Sequence, residues 1–103
     1  MVQFVHPATD DITLMGLLEA LADPTRLRIV KGMMAREGCV SCTEAAPCPA
    51  MAKSTLSNHF RILRQAGLVR SVKQGVEHRN TIRVDDIEAR FPGLLGMILA
   101  FAE

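Results

Sequence analysis

The segment spanning residues 53–83 constrains the fold most, because its hydrophobic period changes once, at Gly67. Before this glycine, apolar residues recur at three- and four-residue spacing, and they are Leu56, Phe60, Leu63 and Ala66. This period predicts an amphipathic helix over about residues 54–66, which the glycine ends. The following stretch is rich in β-branched residues and is interrupted at Gln74-Gly75, so it predicts an antiparallel hairpin over about residues 68–84.

The same segment holds most of the positive charge of the chain. Residues 53–83 contain seven basic residues and one acidic residue, Glu77, so their net charge is +6. Five basic and ten acidic residues lie elsewhere, and the net charge of +1 therefore describes a polarised molecule. Such concentrated charge favours binding to phosphate polyanions, because affinity for them comes largely from released counterions. A basic face that only meets solvent is the alternative interpretation.

Short polar side chains occupy the faces of the predicted helix that the apolar residues leave open. No acidic residue lies between Lys53 and Val76. Side chains of this kind near a helix N-terminus reach base edges in a major groove or the phosphates beside it. The chain has no Trp or Tyr and only four Phe, so it lacks the aromatic surfaces on which single-stranded nucleic acid stacks. The pattern therefore favours double-stranded DNA.

Two runs of sequence resemble a known family. They are LADPTRLRIV at Leu21–Val30 and STLSNHFRILRQAGLV at Ser54–Val69, and with the hairpin they are similar to the ArsR/SmtB family of winged helix-turn-helix repressors. The resemblance covers roughly residues 14–84. It implies a mainly α fold with a small β-hairpin wing, in one domain over residues 1–103. It also implies a homodimer that binds an operator and leaves when an inducer binds.

The run Asp23-Pro24-Thr25-Arg26 begins a helix for ordinary physical reasons. The Asp23 side chain can cap free amide groups, and Pro24 suits the first helical position, where a missing N–H costs nothing. We therefore interpret these four residues as a helix start rather than as ligands.

By position, the resemblance implies DNA contacts in two places. The expected recognition-helix residues are Lys53, Ser54, Thr55, Ser57, Asn58, His59, Arg61 and Arg64. Among them we expect Ser57 and His59 at base edges, and Lys53, Arg61 and Arg64 at phosphates. The wing residues expected near the minor groove are Lys73, Gln74, Gly75, His78 and Arg79.

The two ends of the chain predict helices that need a covering surface. A first helix is expected over residues 10–22, capped by Thr9 or Asp10. The apolar segment 94–102 is far shorter than the ~20 residues that cross a bilayer, so no membrane partner is expected. In the family the terminal helices form the dimer interface, which implies a role for Leu14, Leu17, Leu18, Leu21, Leu94, Leu95, Ile98, Leu99 and Phe101. A C-terminal helix packed on its own monomer is the alternative.

Three cysteines lie within ten residues, as Cys-x-x-Cys at Cys39 and Cys42 followed by Cys48. No cofactor is certain, but thiolates at this spacing suit a thiophilic ion such as Zn(II), Cd(II), Pb(II) or As(III). A switch that responds to oxidation or to reactive sulfur is a second interpretation. In a third interpretation the cysteines have no sensing role, and they are small buried thiols or hold an adventitious structural zinc ion. The sequence leaves the inducer unknown.

The cysteine pattern departs from the family in one respect. Arsenic and cadmium sensors of the family typically carry Cys-x-Cys on the helix before the recognition helix, whereas this chain carries Cys-x-x-Cys near that position. Pro47 and Pro49 flank Cys48. They predict that the helix before the recognition helix is short and irregular. The family's other metal site uses His and carboxylates on the last helix, at the dimer interface. Segment 94–102 has no such side chain, so the sequence argues against a zinc site there.

Other classes of function have weaker support in the sequence. Cysteines with distant histidines are poor grounds for catalysis, so we do not expect an enzyme. A winged-helix module that binds a protein instead of DNA is an alternative, which a steep salt dependence of duplex binding would exclude. The first residues lack the charged and apolar regions of a signal peptide, which predicts a cytoplasmic location.

Overall fold

A computed structural model describes residues 4–36, 40–41, 51–74 and 77–102. After a 3-10 turn at Thr9–Asp11, the elements in chain order are α1 (Leu14–Leu21), α2 (Pro24–Met34), β1 (Val40–Ser41), α3 (Lys53–Ala66), β2 (Val69–Gln74), β3 (Glu77–Ile82), α4 (Val84–Arg90) and α5 (Leu94–Ala100). The strands form an antiparallel sheet in the order β1-β3-β2. This is the mainly α fold with a β-hairpin that the sequence predicts.

Helix α1 begins later than the sequence predicts. Its first residue is Leu14, because the side chain of Thr13 accepts the amide proton of the third helical residue at 3.0 Å. Both predicted caps, Thr9 and Asp10, lie instead in the 3-10 turn, where the Thr9 hydroxyl donates to Asp86 of α4 at 2.7 Å. A capping side chain that is engaged with a distant helix cannot start its own helix.

Helix α3 follows its apolar period closely. Leu56, Phe60 and Leu63 are buried, and they face a core to which α1, α2, the sheet and the C-terminal helices all contribute. The core side chains on those other elements are Leu17, Ala20, Leu21, Ile29, Val30, Met33, Val69, Ile87 and Leu95. One apolar stripe per helix is therefore enough to build a single core.

Gly67 ends α3 with a left-handed residue, at φ 87°. The Gly67 amide donates to the carbonyl of Arg64, and the Leu68 amide donates to that of Leu63 at 3.0 Å, so the last turn is closed. A Cβ atom on Gly67 would lie 2.5 Å from Cγ1 of Ile12. The glycine is required both by the backbone and by the packing of the segment before α1.

The hairpin after α3 is in register from Val69↔Ile82 to Gln74↔Glu77, so two residues connect β2 to β3. The predicted turn residue Gly75 lies outside the described residues. Strand β1 pairs with the other edge of β3, through Val40↔Asn80 and Ser41↔Arg79.

The terminal helices divide their apolar residues between the monomer core and solvent. Leu17, Leu21 and Leu95 are buried within the chain, so these three predicted interface residues pack in the monomer core. Leu94, Ile98 and Leu99 are partly buried against the same core. The predicted interface residues that remain exposed are Leu14, Leu18 and Phe101. No described helix is long and apolar enough to cross a membrane.

Candidate nucleic-acid interface

The outward face of α3 is built from polar and basic side chains. The exposed residues of α3 among those predicted to contact DNA are Lys53, Ser54, Thr55, Ser57, Asn58 and Arg61. They lie opposite the buried stripe, and the helix contains no acidic residue. The structure therefore brings the N-terminal part of the predicted set together on one accessible surface, with donors and positive charge in the form that DNA requires.

Arg61 and Asn58 are coupled on this face. The guanidinium of Arg61 donates to the side-chain oxygen of Asn58, one turn earlier. The bond leaves the amide NH2 group of Asn58 with its donors available, which suits an acceptor on a base edge or a phosphate. The pair presents several donors in one direction.

His59 differs from its neighbours, because it is half-buried and contacts another helix. Its Nδ1 lies 3.5 Å from Nη1 of Arg26 in α2. A guanidinium has only donors, so Nδ1 accepts in this contact and a neutral ring carries its proton on Nε2. We predicted a base contact for His59, and this geometry gives the ring a donor for any DNA acceptor.

Arg26 joins three helices, a role that the sequence interpretation as a helix start missed. Its Nε donates to the carbonyl of Ala20 at the end of α1 at 2.7 Å, while its other arm faces His59 of α3. Its own amide donates to Asp23 at 3.0 Å. That hydrogen bond is the main reason why the pKa of Asp23 is lowered. The run Asp-Pro-Thr-Arg is the only sequence feature that singles out Arg26. It does not indicate that Arg26 contacts Ala20 and His59.

Arg64 is directed inward, although we expected it at a phosphate. Its guanidinium lies over the ring of Phe4, 4.4 Å from the centroid, and donates to the hydroxyl of Ser71 in β2 at 3.3 Å. Arg64 is half-buried, whereas Lys53 and Arg61 are exposed. In this conformation it holds the end of α3 against the wing instead of facing solvent.

The base of the wing contains a buried polar pair that sequence reasoning did not predict. The hydroxyl of Ser71 donates to the side-chain oxygen of Asn80 at 2.6 Å, and both residues are almost fully buried. A satisfied buried pair of this kind fixes the alignment of β2 and β3. The sequence shows polar residues alternating along the two strands. This alternation does not reveal which face of the hairpin is buried, so it could not identify Ser71 and Asn80 as a buried pair.

Among the predicted wing residues, the structure describes the side chains of Lys73 and Arg79 only. Lys73 is exposed on β2, and Arg79 is half-buried on β3. The backbones of Gln74 and His78 lie in the strands, with His78 opposite Lys73. Gly75 lies outside the described residues.

The predicted thiol site at Cys39, Cys42 and Cys48 also lies outside the described residues. The two residues between the first pair of cysteines form β1, which pairs with β3 of the wing. Within the described ranges, no group of three or more His, Cys, Asp or Glu side chains is arranged to hold a metal ion.

Comparisons with known proteins agree with this geometry. A family model described as a helix-turn-helix domain matches residues 21–72, about half of the chain. The chain is 31% identical over 87 residues to the uncharacterized HTH-type transcriptional regulator YceK of Bacillus subtilis (strain 168). This alignment covers 84% of this chain and 87% of that protein. The fold is similar to that of a crystallised ArsR family transcriptional regulator, with a TM-score of 0.65, 25% identity, and coverage of 94% and 96% of the two chains.

This chain belongs to the ArsR family of helix-turn-helix transcriptional regulators. An ArsR-like transcriptional regulator from Rhodococcus sp. RHA1 is also similar, with a TM-score of 0.60 and 26% identity over 84% of this chain and 82% of that one. The predicted family and the winged helix-turn-helix fold are therefore confirmed, and the protein is a DNA-binding regulator of transcription rather than an enzyme. The individual DNA contacts, the dimer interface and the thiol site stay predictions.

Proposed function

We propose that this ArsR-family protein is a homodimeric repressor that binds a specific operator through α3 and the wing, and dissociates when an inducer binds. The observation that carries the proposal is the exposed polar and basic face of α3, which has no acidic side chain. Ser57 and Asn58 are suited to base edges, while Lys53 and Arg61 are suited to phosphates.

A homodimer is proposed because the described surface includes large exposed apolar side chains near both ends of the chain. They are Leu14, Met15 and Leu18 of α1, and Met97 and Phe101 at the C-terminal end. Covering them with a two-fold copy would remove apolar area from water. Two-fold symmetry would also set two copies of α3 about one DNA turn, ~34 Å, apart.

The proposed inducer site consists of Cys39, Cys42 and Cys48. Three thiolates form a soft donor set, which suits a thiophilic ion such as Zn(II), Cd(II), Pb(II) or As(III). Because β1 lies between the first two cysteines and pairs with β3, a change at these thiols has a short covalent and hydrogen-bonded route to the wing. Oxidation of the thiols would use the same route, and it is the alternative mode of sensing.

The DNA part of the proposal is tested with a duplex that the purified protein selects from a random-sequence library. We expect tighter binding to the selected duplex than to a shuffled one, and a logarithm of the association constant that falls linearly with the logarithm of the salt concentration. Native mass should show two protein chains on one duplex. Equal affinity for both duplexes contradicts operator specificity, one chain per duplex contradicts the homodimer, and weak salt dependence favours a protein-interaction module.

The inducer part is tested by adding each candidate ion, or a mild oxidant, to the complex with the selected duplex. The control is the triple variant Cys39→Ser, Cys42→Ser, Cys48→Ser, which keeps the size of the side chains but removes the thiols. Release by an ion from the wild type alone supports a metal or metalloid inducer. Release by the oxidant alone supports the redox alternative, and release by neither contradicts a sensing role for these cysteines.

A further inference from the structure

The residues before α1 lie across α3, β2 and α4, and we call Phe4–Thr9 the strap. At its start, the ring of Phe4 stacks on the guanidinium of Arg64 in α3, 4.4 Å from the ring centroid. At its end, the Thr9 hydroxyl donates to Asp86 of α4 at 2.7 Å. The strap is therefore attached at both ends to parts of the chain that are distant in sequence.

The middle of the strap contacts the base of the wing. Nε2 of His6 accepts the amide proton of Ser71 in β2 at 2.9 Å, and the carbonyl of Pro7 accepts from Nη1 of Arg83 at 2.8 Å. Ser71 and Arg83 are both buried. A buried amide without an acceptor is costly, so His6 supplies a partner that this strand needs.

The Ser71 amide needs this partner because β2 lies at an edge of the sheet. In the order β1-β3-β2, one side of β2 pairs with β3 and the other has no strand among the described residues. The donor on the open side is satisfied by the imidazole. The strap thus covers the wing edge at the level of the buried pair formed by Ser71 and Asn80.

Three arginines lie close enough to His6 to affect its protonation, one on α3, one on β2 and one directly before α4. Burial lowers its pKa, and the guanidinium groups of Arg70, Arg83 and Arg64 lower the pKa further, while a hydrogen bond with the backbone of Phe4 acts in the opposite direction. Two of these arginines face the carboxylate of Asp86, which lies 2.9 Å from Nε of Arg83 and 3.7 Å from Nη2 of Arg70. That carboxylate is therefore shared by two arginines.

We propose that the strap positions the C-terminal end of α3 and the wing for DNA binding, and that it stays docked only while Nε2 of His6 carries no proton. Protonation turns this acceptor into a donor that faces the N–H group of Ser71, among three arginines. His6 is thus a positioning residue that acts through Ser71 and touches no DNA. The inference rests on the proposed DNA-binding function.

The direction of the pH dependence follows from the lowered pKa. The docked strap favours neutral His6, so its contribution to stability is complete above the ordinary histidine pKa of about 6.5. It is lost as the pH falls through the lowered pKa of the docked state. Acid is therefore expected to release the strap.

The first measurement is the chemical shift of the Ser71 amide in the full-length protein, from about pH 7.5 to about pH 5. We expect it to titrate with His6 in the wild type. It should stay flat in His6→Gln, because the amide oxygen of glutamine can accept the same proton but does not titrate in this range. An amide that ignores the titration of His6, or that titrates equally in His6→Gln, overturns the proposal.

The second measurement is affinity for the selected duplex at pH 7.5, compared among three variants. His6→Ala removes the acceptor and should weaken binding by about five-fold or more. His6→Gln should restore most of the loss. Val5→Ala, which shortens an exposed side chain of the same segment, is the matched control and should bind as the wild type does.

The outcomes separate this inference from the function on which it rests. If the wild type shows no preference for any selected duplex, the proposed operator binding fails, whatever the strap does. If the wild type binds specifically but His6→Ala, with a folded amide spectrum, binds equally well, only the positioning role fails. His59 and His78 remain in all variants, so their titration is common to every comparison.

Discussion

The two halves of α3 have similar polar sequences but different surroundings. In the N-terminal half, Lys53, Ser57 and Asn58 are exposed to solvent. In the C-terminal half, Arg64 is engaged with Phe4 and Ser71, and Gly67 packs against Ile12. One helix therefore carries both the proposed surface for DNA and, at Arg64 and Gly67, the contacts that hold this surface in place. A basic residue contributes to the first or to the second according to what packs beside it.

The largest loss of stability is expected from a substitution at Gly67. Gly67→Ala must hold alanine at φ 87° and bring its Cβ to 2.5 Å from Ile12, so we expect a loss of about 2–4 kcal/mol in the free energy of unfolding. Gly93→Ala is the matched control, because Gly93 also has a positive φ, 79°, but open space around its Cβ. It should cost only about 1 kcal/mol. Urea denaturation measures both, and equal losses would remove the role of the Ile12 contact.

Arg26→Met tests the link between α1 and α3. The variant keeps the aliphatic stem but loses the hydrogen bonds to Ala20 and His59, so we expect a loss of about 1–2 kcal/mol in stability. Arg28→Met, at an exposed position of the same helix, removes the same charge and should leave stability nearly unchanged. Nitrogen-15 spectra of the histidines should also show a proton on Nε2 of His59 in the wild type and a mixture of tautomers in Arg26→Met.

Arg61 and Arg64 lie three residues apart on α3, but Arg61 is exposed and Arg64 is half-buried, so their substitutions should have different effects. Arg61→Met should leave stability unchanged and lower the salt slope of duplex binding by about one, as expected for a lost phosphate contact. Arg64→Met should lower stability by about 1 kcal/mol, since it loses the stacking on Phe4 and the hydrogen bond to Ser71, and should leave the salt slope unchanged. The reverse pattern would assign the phosphate contact to Arg64.

The smallest expected effect concerns Asp86, which joins the 3-10 turn to α4. Hydrogen bonds from Thr9 and Arg83 lower the pKa of this carboxyl below its ordinary value. Its stabilising contribution is therefore present above the unfolded pKa, and is lost as the pH falls through the lower pKa of the folded state. Because Asp86 is partly exposed, we expect less than about 1 kcal/mol. Urea midpoints at neutral and acidic pH should differ less in Asp86→Asn than in the wild type.

Much of the fold could be predicted where the deciding interactions are local. The predicted helix at 54–66 is observed at Lys53–Ala66, and the predicted hairpin is observed at Val69–Gln74 and Glu77–Ile82. Apolar period, a left-handed glycine and β-branched strands act within a few residues, and they can be recognised in the sequence. The start of α1 was predicted less well, since Thr9 bonds to Asp86 instead of capping its own helix.

The candidate site was predicted by residue type but not by orientation. The exposed set at the start of α3 agrees with the predicted face, whereas Arg64 and His59 are partly withdrawn by contacts with Phe4 and Arg26. Sequence reasoning assigned no role to His6. Its partner Ser71 is 65 residues away, and no periodic pattern reports a contact at that separation.

The helix, the hairpin and the concentration of basic residues in segment 53–83 could all be predicted from the sequence, because apolar period, a terminating glycine and composition are local properties. The expected function as a DNA-binding regulator came in addition from the resemblance to the ArsR/SmtB family. Which basic residues face solvent and which hold α3 to the wing depends on the packing of distant segments, and it is seen only in the folded chain. Hydrogen bonds and ring contacts depend on distances of a few ångströms between residues such as Phe4 and Arg64, and folding alone sets those distances.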